Sequence, residues 1–224
     1  MAEASKVSGE KYRRVFLEYD PVFVDAVSSA AVSCNLNVFF KKEQMQALRE
    51  YIKGKNIVVN LPTGYGKSLI YSLCPLVCDN LRNVKSKKER SMLLLISPLT
   101  ALMDDQRLSL AQLGLSTLKL TPNVCEADIS RIQSGDIQVI ILSPKSFERV
   151  VVKRTLQNAK ECIHCVAIDE AHCIEEWLVF TYTKLHNCVK FGLGIILLSP
   201  YLVLLSYFVF IFMVKKVFYI YKIV

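Results

Sequence analysis

The chain has 224 residues, 52% of them hydrophobic, which is enough for one α/β domain with its own core and too short for two complete domains. Its formal charge is +8, but the last 47 residues hold five lysines and no acid, so the remainder has only a mild basic excess, which does not by itself indicate nucleic-acid binding. The eight cysteines are scattered through apolar runs, which argues against a disulfide framework and favours a reducing compartment. Cys162 and Cys165 would point to opposite faces of one strand, which argues against a metal site built on that pair.

The N-terminal part is predicted to be an arm followed by two helices. Residues 1–24 are mixed and charged and contain no apolar core of signal-peptide length. Asp25 is predicted to cap a helix that ends near Ser33. A second helix is predicted from Met45 to Ile52, where apolar residues recur at helical spacing, and Gly54 is predicted to end it.

A phosphate-binding loop is predicted next. The apolar run 57–59 predicts a strand, and residues 67–80 are predicted to form a helix. Between them the turn ends in Gly-Tyr-Gly-Lys-Ser, although Leu61 stands where the common pattern has glycine. Backbone N–H groups of Thr63, Gly64, Tyr65 and Gly66 are predicted to face phosphate, with the positive end of the helix dipole behind them. Lys67 is predicted to reach the β- and γ-phosphates, and the Ser68 hydroxyl is predicted to contact Mg²⁺.

Strands and helices alternate along the rest of the chain up to about residue 168. The predicted strands are 92–96, 116–120, 137–142 and 162–168, and 92–96 is apolar throughout, as expected for a strand covered on both faces. This alternation predicts an α/β fold with an open, doubly wound parallel sheet. Ligands of such sheets bind beyond the carboxyl ends of the strands, where the phosphate loop also lies.

A second chemical motif follows the last of these strands. Asp169 and Glu170 are adjacent carboxylates at a strand end, where they repel each other unless a cation neutralises them. Mg²⁺ would satisfy this requirement. Asp169 is predicted to hold the metal, and Glu170 is predicted to orient or deprotonate the water that attacks a γ-phosphate.

These motifs together resemble the first motor domain of RecQ-type DNA helicases of superfamily two. The resemblance runs from about Phe39 to Trp177 and includes Ser97-Pro98-Leu99 with Gln106, and the run that begins Asp-Glu-Ala-His at Asp169. It implies a RecA-like phosphate-loop NTPase domain over residues 25–177, with ATP and Mg²⁺ as ligands. It also implies 3′ to 5′ unwinding of DNA, roles in DNA repair and recombination, and a nuclear location.

The resemblance implies further residue roles. Gln44 would read the adenine edge, with Lys41 at a place where the family usually has arginine, and His172 would couple the nucleotide site to the partner domain or to the DNA strand. The residues implied to contact single-stranded DNA are Ser97, Pro98, Leu99, Gln106, Ser143, Pro144 and Trp177.

Residues 178–224 depart from the family pattern, and three interpretations stay open. Residues 191–214 carry no charge and are long enough to span a membrane at ~20 residues per span. The segment could instead be non-native read-through after Trp177, or residues 195–199 could form a strand of the sheet. Because the arginine finger of the second motor domain is absent from these residues, slow hydrolysis is expected. The alternative functions are a non-catalytic half-motor that holds DNA or a helicase partner, and a membrane-tethered nucleotide-binding protein.

Overall fold

A computed structural model describes residues 20–37, 39–62, 64–97, 100–147, 149–169 and 218–222. The first helix is α1 (Pro21–Ser33), and the Val22 N–H donates a hydrogen bond to Asp20 Oδ1 at 2.7 Å. The prediction that Asp25 caps this helix is therefore wrong. Asp20 is the cap because proline at the first helical position has a preset backbone angle and needs no amide partner.

The other elements follow the predicted alternation. Gly54, with a φ of 96°, follows α2, as predicted. The elements after α1 are α2 (Lys42–Ile52), β1 (Ile57–Leu61), α3 (Lys67–Arg82), a 3₁₀ turn (Lys87–Glu89), β2 (Met92–Ile96), α4 (Thr100–Gln112), β3 (Thr117–Lys119), α5 (Glu126–Gln133), β4 (Val139–Leu142), α6 (Pro144–Phe147), α7 (Val150–Asn158), β5 (Ile163–Ile168) and β6 (Phe218–Lys222).

The sheet is parallel throughout, in the order β1-β6-β5-β2-β4-β3. The predicted doubly wound sheet is confirmed. β6 comes from the C-terminal 47 residues and lies between the strand before the phosphate loop and the strand before Asp169, with Val59 opposite Ile220 and Ile168 opposite Tyr219. A strand from this region thus joins the sheet at 218–222, whereas the predicted strand 195–199 lies outside the described residues.

Two apolar cores cover the two faces of the sheet. On one face α1, α2, α3 and α4 pack against alternate strand residues such as Leu93 and Cys165. On the other face α5 and α7 pack against residues such as Leu94 and Val166. Helices therefore cover both faces of the central strands and exclude solvent, which explains why β2 and β4 are buried along their whole length.

Several predicted positions fall outside the described residues: Thr63, Pro98, Leu99, Glu170, His172, Trp177 and the segment 191–214. Within the part of the chain that the structure does describe, no helix is long and apolar enough to cross a bilayer.

Candidate nucleotide site

The phosphate loop joins β1 to α3 through two glycines in the left-handed region of backbone space. Gly64 has a φ of 78° and Gly66 a φ of 84°, which side chains with a Cβ rarely adopt. A Cβ at Gly66 would also lie 2.5 Å from Gln44 Nε2, whereas a Cβ at Gly64 would meet nothing within 4 Å. The turn thus favours glycine at position 66, and a side chain there would also displace the Gln44 amide.

Gln44 of α2 ties the loop to the domain. Its side chain is only 3% exposed. Its Nε2 donates to the carbonyl oxygens of Tyr65 at 3.0 Å and Gly66 at 3.1 Å, and its Oε1 accepts from the Lys41 N–H at 2.8 Å. The structure therefore places Gln44 behind the loop with both ends of its amide engaged. Its role in reading adenine stays a prediction.

Lys67 opens α3 and folds back over its own loop. Its Nζ donates to the carbonyl oxygens of Leu61 at 2.6 Å and Pro62 at 3.2 Å. These carbonyls end β1, so the ammonium lies at the carboxyl end of that strand, where the sequence predicts phosphate. The ammonium is a compact point charge with three donors on a flexible stem, so it is able to exchange these neutral acceptors for an anion.

The outer rim of the loop carries a small charged cluster that the sequence did not reveal. The Tyr65 hydroxyl donates to Glu43 Oε2 at 2.7 Å, and Lys41 Nζ lies 3.6 Å from the centre of the Tyr65 ring. The bond from Tyr65 lowers the pKa of the Glu43 carboxyl, and the same bond raises the pKa of Tyr65. Lys41 thus contacts an aromatic face at the place where the family resemblance expects arginine.

A cavity of about 480 Å³ is lined mainly by the first turns of α3 and by α4, with Asp169 at the end of β5. Three residues predicted independently line it: Ser68, Asp169 and Gln106. The sequence placed Ser68 and Asp169 at two strand ends far apart in the chain, and the parallel sheet brings both ends to one cleft. This convergence is the main geometric support for a nucleotide site.

Gln106 of α4 is only 8% exposed, and its Nε2 donates to Asp169 Oδ2 at 2.5 Å. The structure thus places this residue against the predicted metal carboxylate, although the resemblance implied a contact with DNA. Its Oε1 is buried with no hydrogen-bond partner among the described residues. Helical periodicity could not show this contact because the partner lies 63 residues away.

Tyr71 also lines the cavity, one turn beyond Ser68 on α3. Burial, with a smaller contribution from the Asp169 charge, raises the pKa of its hydroxyl far above the usual range, so it stays neutral. The sequence reasoning missed Tyr71. The available signal was its spacing from Ser68, because residues three apart share a helix face.

The residues predicted to contact DNA differ in burial and in hydrogen bonding. The Ser97 side chain is fully buried at the end of β2, and its Oγ has no hydrogen-bond partner among the described residues. Ser143 Oγ accepts from the Ser146 N–H at 3.1 Å and so begins α6, which leaves Ser143 and Pro144 half-buried. Their contacts with DNA stay predictions.

The donor atoms that converge on the cavity suit a hard cation. A serine hydroxyl and a carboxylate are oxygen ligands of the kind that Mg²⁺ prefers, and Mg²⁺ commonly uses one or two protein ligands together with substrate phosphates and water. Ser68 and Asp169 therefore fit the predicted metal role in type and in location.

A parallel sheet covered on both faces, a glycine-containing phosphate loop after β1 and a carboxylate after β5 define a phosphate-loop nucleotide-binding domain. The chain belongs to the DEAD/DEAH box helicase family, because the model of that family matches residues 41–200. The matched region contains the phosphate loop and the Asp169 motif.

Curated relatives and a solved structure agree with this assignment. The chain is 30% identical over 140 residues to "ATP-dependent helicase wrn-1" of Caenorhabditis elegans, which covers 62% of this chain and 12% of that protein. It is 33% identical over 141 residues to "Probable ATP-dependent DNA helicase RecS" of Bacillus subtilis, covering 62% of this chain and 26% of that protein. The DUF1998 helicase MrfA, solved bound to DNA and AMPPNP, shares the fold with a TM-score of 0.59 at 16% identity, covering 91% of this chain and 26% of that one.

The chain therefore spans about an eighth to a quarter of the length of these two curated relatives.

Proposed function

We propose that this domain binds Mg-ATP between the phosphate loop and Asp169 and serves as the ATP-binding motor domain of a RecQ-type DNA helicase. The observation that carries the proposal is the shared cavity of Ser68, Gln106 and Asp169 in a chain of the DEAD/DEAH box helicase family. The relative from Bacillus subtilis supports the choice of DNA as substrate, since its name describes a DNA helicase.

In this proposal the phosphate loop binds the nucleotide by exchange of partners. Lys67 leaves the carbonyls of Leu61 and Pro62 and contacts the β- and γ-phosphates. The Gly64 and Gly66 backbone, held from behind by Gln44, directs N–H groups towards the same oxygens. The loop needs little rearrangement because its backbone is already fixed by these bonds, so the entropy cost of binding is low.

The opposite wall of the cleft is Asp169 with its partner Gln106. Bound Mg²⁺ would supply positive charge against the phosphate oxygens, and Ser68 and Asp169 are the residues that would hold it. Gln106 holds one carboxylate oxygen of Asp169 in place beside the cavity, as residues that orient metal ligands do. We retain Glu170 as the residue that orients the attacking water, as the sequence predicts.

The same arrangement suggests how DNA reaches the nucleotide site. α4 starts at Thr100, directly after the segment predicted to contact the DNA backbone, and it carries Gln106 one to two turns further on. DNA bound at the start of α4 would shift this helix and with it the hydrogen bond to Asp169. Backbone contacts of this kind are independent of DNA sequence.

The test is ATP turnover by the 224-residue chain with and without single-stranded DNA. We expect turnover that rises with DNA of any sequence and falls with added salt, because phosphate contacts release counterions. Turnover that ignores DNA would contradict the helicase role, and nucleotide binding without turnover would favour the non-catalytic half-motor.

A further inference from the structure

Three cysteine thiols converge where α3 packs against β5. Cys74 and Cys78 stand four residues apart on α3 and therefore share one face of the helix. Cys165 lies on β5, with its Sγ 3.1 Å from that of Cys74 and 4.0 Å from that of Cys78. All three sulfur atoms lie within 4.8 Å of one another.

This cluster differs from the way buried cysteines usually pack. A single buried cysteine acts as a small apolar side chain among aliphatic neighbours. Here two fully buried thiols and one half-buried thiol face each other, so each sulfur has other sulfurs as neighbours. Three mutually close sulfur atoms form a preorganised set of soft ligands.

The composition of the cluster selects the kind of ion. Soft thiolate ligands favour Cu(I), zinc or iron–sulfur clusters. Structural zinc is almost always held by four ligands, and no histidine or carboxylate of the described residues joins the three thiols. A soft ion of low coordination number fits three sulfurs without a further ligand.

We propose that Cys74, Cys78 and Cys165 form a binding site for Cu(I) that joins α3 to β5. Each sulfur that becomes a thiolate ligand releases one proton to solvent, so one Cu(I) bound by all three sulfurs displaces three protons and the site carries a net charge of −2. Cys78 is the half-buried member and provides the route of entry.

The surroundings set the conditions for binding. Burial raises the pKa of Cys165 well above its usual value, so the ion must displace protons and its affinity rises with pH. The titratable groups beside the cluster are Tyr51 of α2, whose hydroxyl accepts from the Val166 N–H at 3.1 Å, and Asp79 of α3. Burial raises the pKa of Tyr51 well above its usual value, so Tyr51 is neutral when the ion binds.

The location gives the site a structural consequence. Cys74 lies seven residues after Lys67, or ~10 Å along the helix, and Cys165 lies four residues before Asp169, or ~13 Å along the strand. An ion held by both elements would tie the helix after the phosphate loop to the strand before Asp169. We therefore expect bound Cu(I) to raise the thermal midpoint of the chain, because the preorganised thiols of the folded state bind the ion more tightly than the thiols of the unfolded chain do.

The experiment uses the 224-residue chain, reduced and free of oxygen, titrated with Cu(I) against a chromogenic chelator. The background carries Cys125→Ser, Cys173→Ser and Cys188→Ser, which removes three thiols outside the cluster. We expect one tightly bound Cu(I) per chain, X-ray absorption showing sulfur neighbours alone, and a higher thermal midpoint.

Two variants and a control make the outcome decisive. Cys78→Ser, at the half-buried position, should weaken Cu(I) binding about 100-fold or more while the chain stays folded, and Cys165→Ser should do the same. Cys34→Ser, which removes a buried thiol of α1's C-terminus outside the cluster, should leave the affinity unchanged. Equal affinity in the Cys78→Ser chain, or nitrogen and oxygen neighbours around the bound copper, would overturn the proposal.

Discussion

The phosphate loop and the corner where α4 meets the ends of β2 and β5 hold their polar groups differently. In the loop, Lys67 and Gln44 donate to the carbonyl groups of Leu61, Tyr65 and Gly66. In the corner, Ser97 Oγ and Gln106 Oε1 are buried with no hydrogen-bond partner among the described residues. The loop is stable without a ligand, whereas the corner holds unpaired groups that a ligand or a shift of α4 could satisfy.

The largest loss of ATP turnover is expected from a substitution in the phosphate loop. Lys67→Ala should reduce ATP turnover ~10²–10³-fold, because it removes the one side-chain cation of the loop predicted to contact phosphate. Stability should change little, since the lysine contacts only carbonyls at the rim. Kinetics and thermal unfolding of the same variant separate the two effects, and retained turnover would contradict the assignment of this wall.

The corner is tested by Gln106→Leu. Without the amide, Asp169 loses a buried donor, and turnover should fall ~10–100-fold, as is typical when a residue that orients a metal ligand is removed. Gln157→Leu, the same change at an exposed position of α7 outside the cavity, is the matched control. Equal losses in both variants would mean that the bond to Asp169 is not responsible for the loss.

A pair of glycine variants separates backbone strain from the Gln44 contact. Gly64→Ala and Gly66→Ala both place a Cβ at a positive φ, at a cost of about 1–2 kcal/mol each. Only Gly66→Ala also meets Gln44, so it should be the less stable of the two in chemical denaturation and should bind nucleotide more weakly. Identical behaviour would show that Gln44 does not fix the loop.

Removal of the buried Ser97 hydroxyl is expected not to destabilise the protein. Ser97→Ala should leave the free energy of unfolding unchanged or raise it by up to about 1 kcal/mol, because the hydroxyl is desolvated without compensation. Denaturant titration measures this change. A loss of more than about 1 kcal/mol would mean that the hydroxyl has a stabilising partner.

The smallest expected effect is a change in the pKa of Glu43 at the rim of the phosphate loop. Tyr65→Phe should let the pKa of Glu43 rise towards its usual value of 4.5, because the hydrogen bond that lowers it is lost. The bond's contribution to stability is present above that value and is lost as pH falls through the lowered pKa of Glu43. NMR titration of the carboxyl checks the shift, and an unchanged pKa would show that Tyr65 is not its cause.

Local patterns in the sequence predicted much of the fold. The strand 92–96 was predicted with its observed bounds, because a continuous apolar run bounded by polar residues has one interpretation in a sheet covered on both faces. The start of α1 was predicted wrongly because Asp20 followed by Pro21 outweighs Asp25 as a start signal. β6 lies in a segment whose apolar residues show no distinguishing period, so its place between β1 and β5 could not be predicted.

The sequence was sufficient to predict the kind of site and its main residues, but not most of the contacts between those residues. Ser68 and Asp169 were predicted as partners because parallel strands end at the same edge of the sheet. The bond from Gln106 to Asp169, the position of Gln44 behind the loop, and the cluster of three thiols depend on distant packing. No spacing along the chain reveals such contacts.

The most direct test of the central claim is equilibrium binding of a non-hydrolysable ATP analogue to the 224-residue chain with and without Mg²⁺. The two-walled cleft predicts saturable binding that Mg²⁺ tightens by at least ~10-fold, with this gain lost in Asp169→Asn and with all binding weakened in Lys67→Ala. Binding that is equally tight without Mg²⁺ and in Asp169→Asn would contradict it.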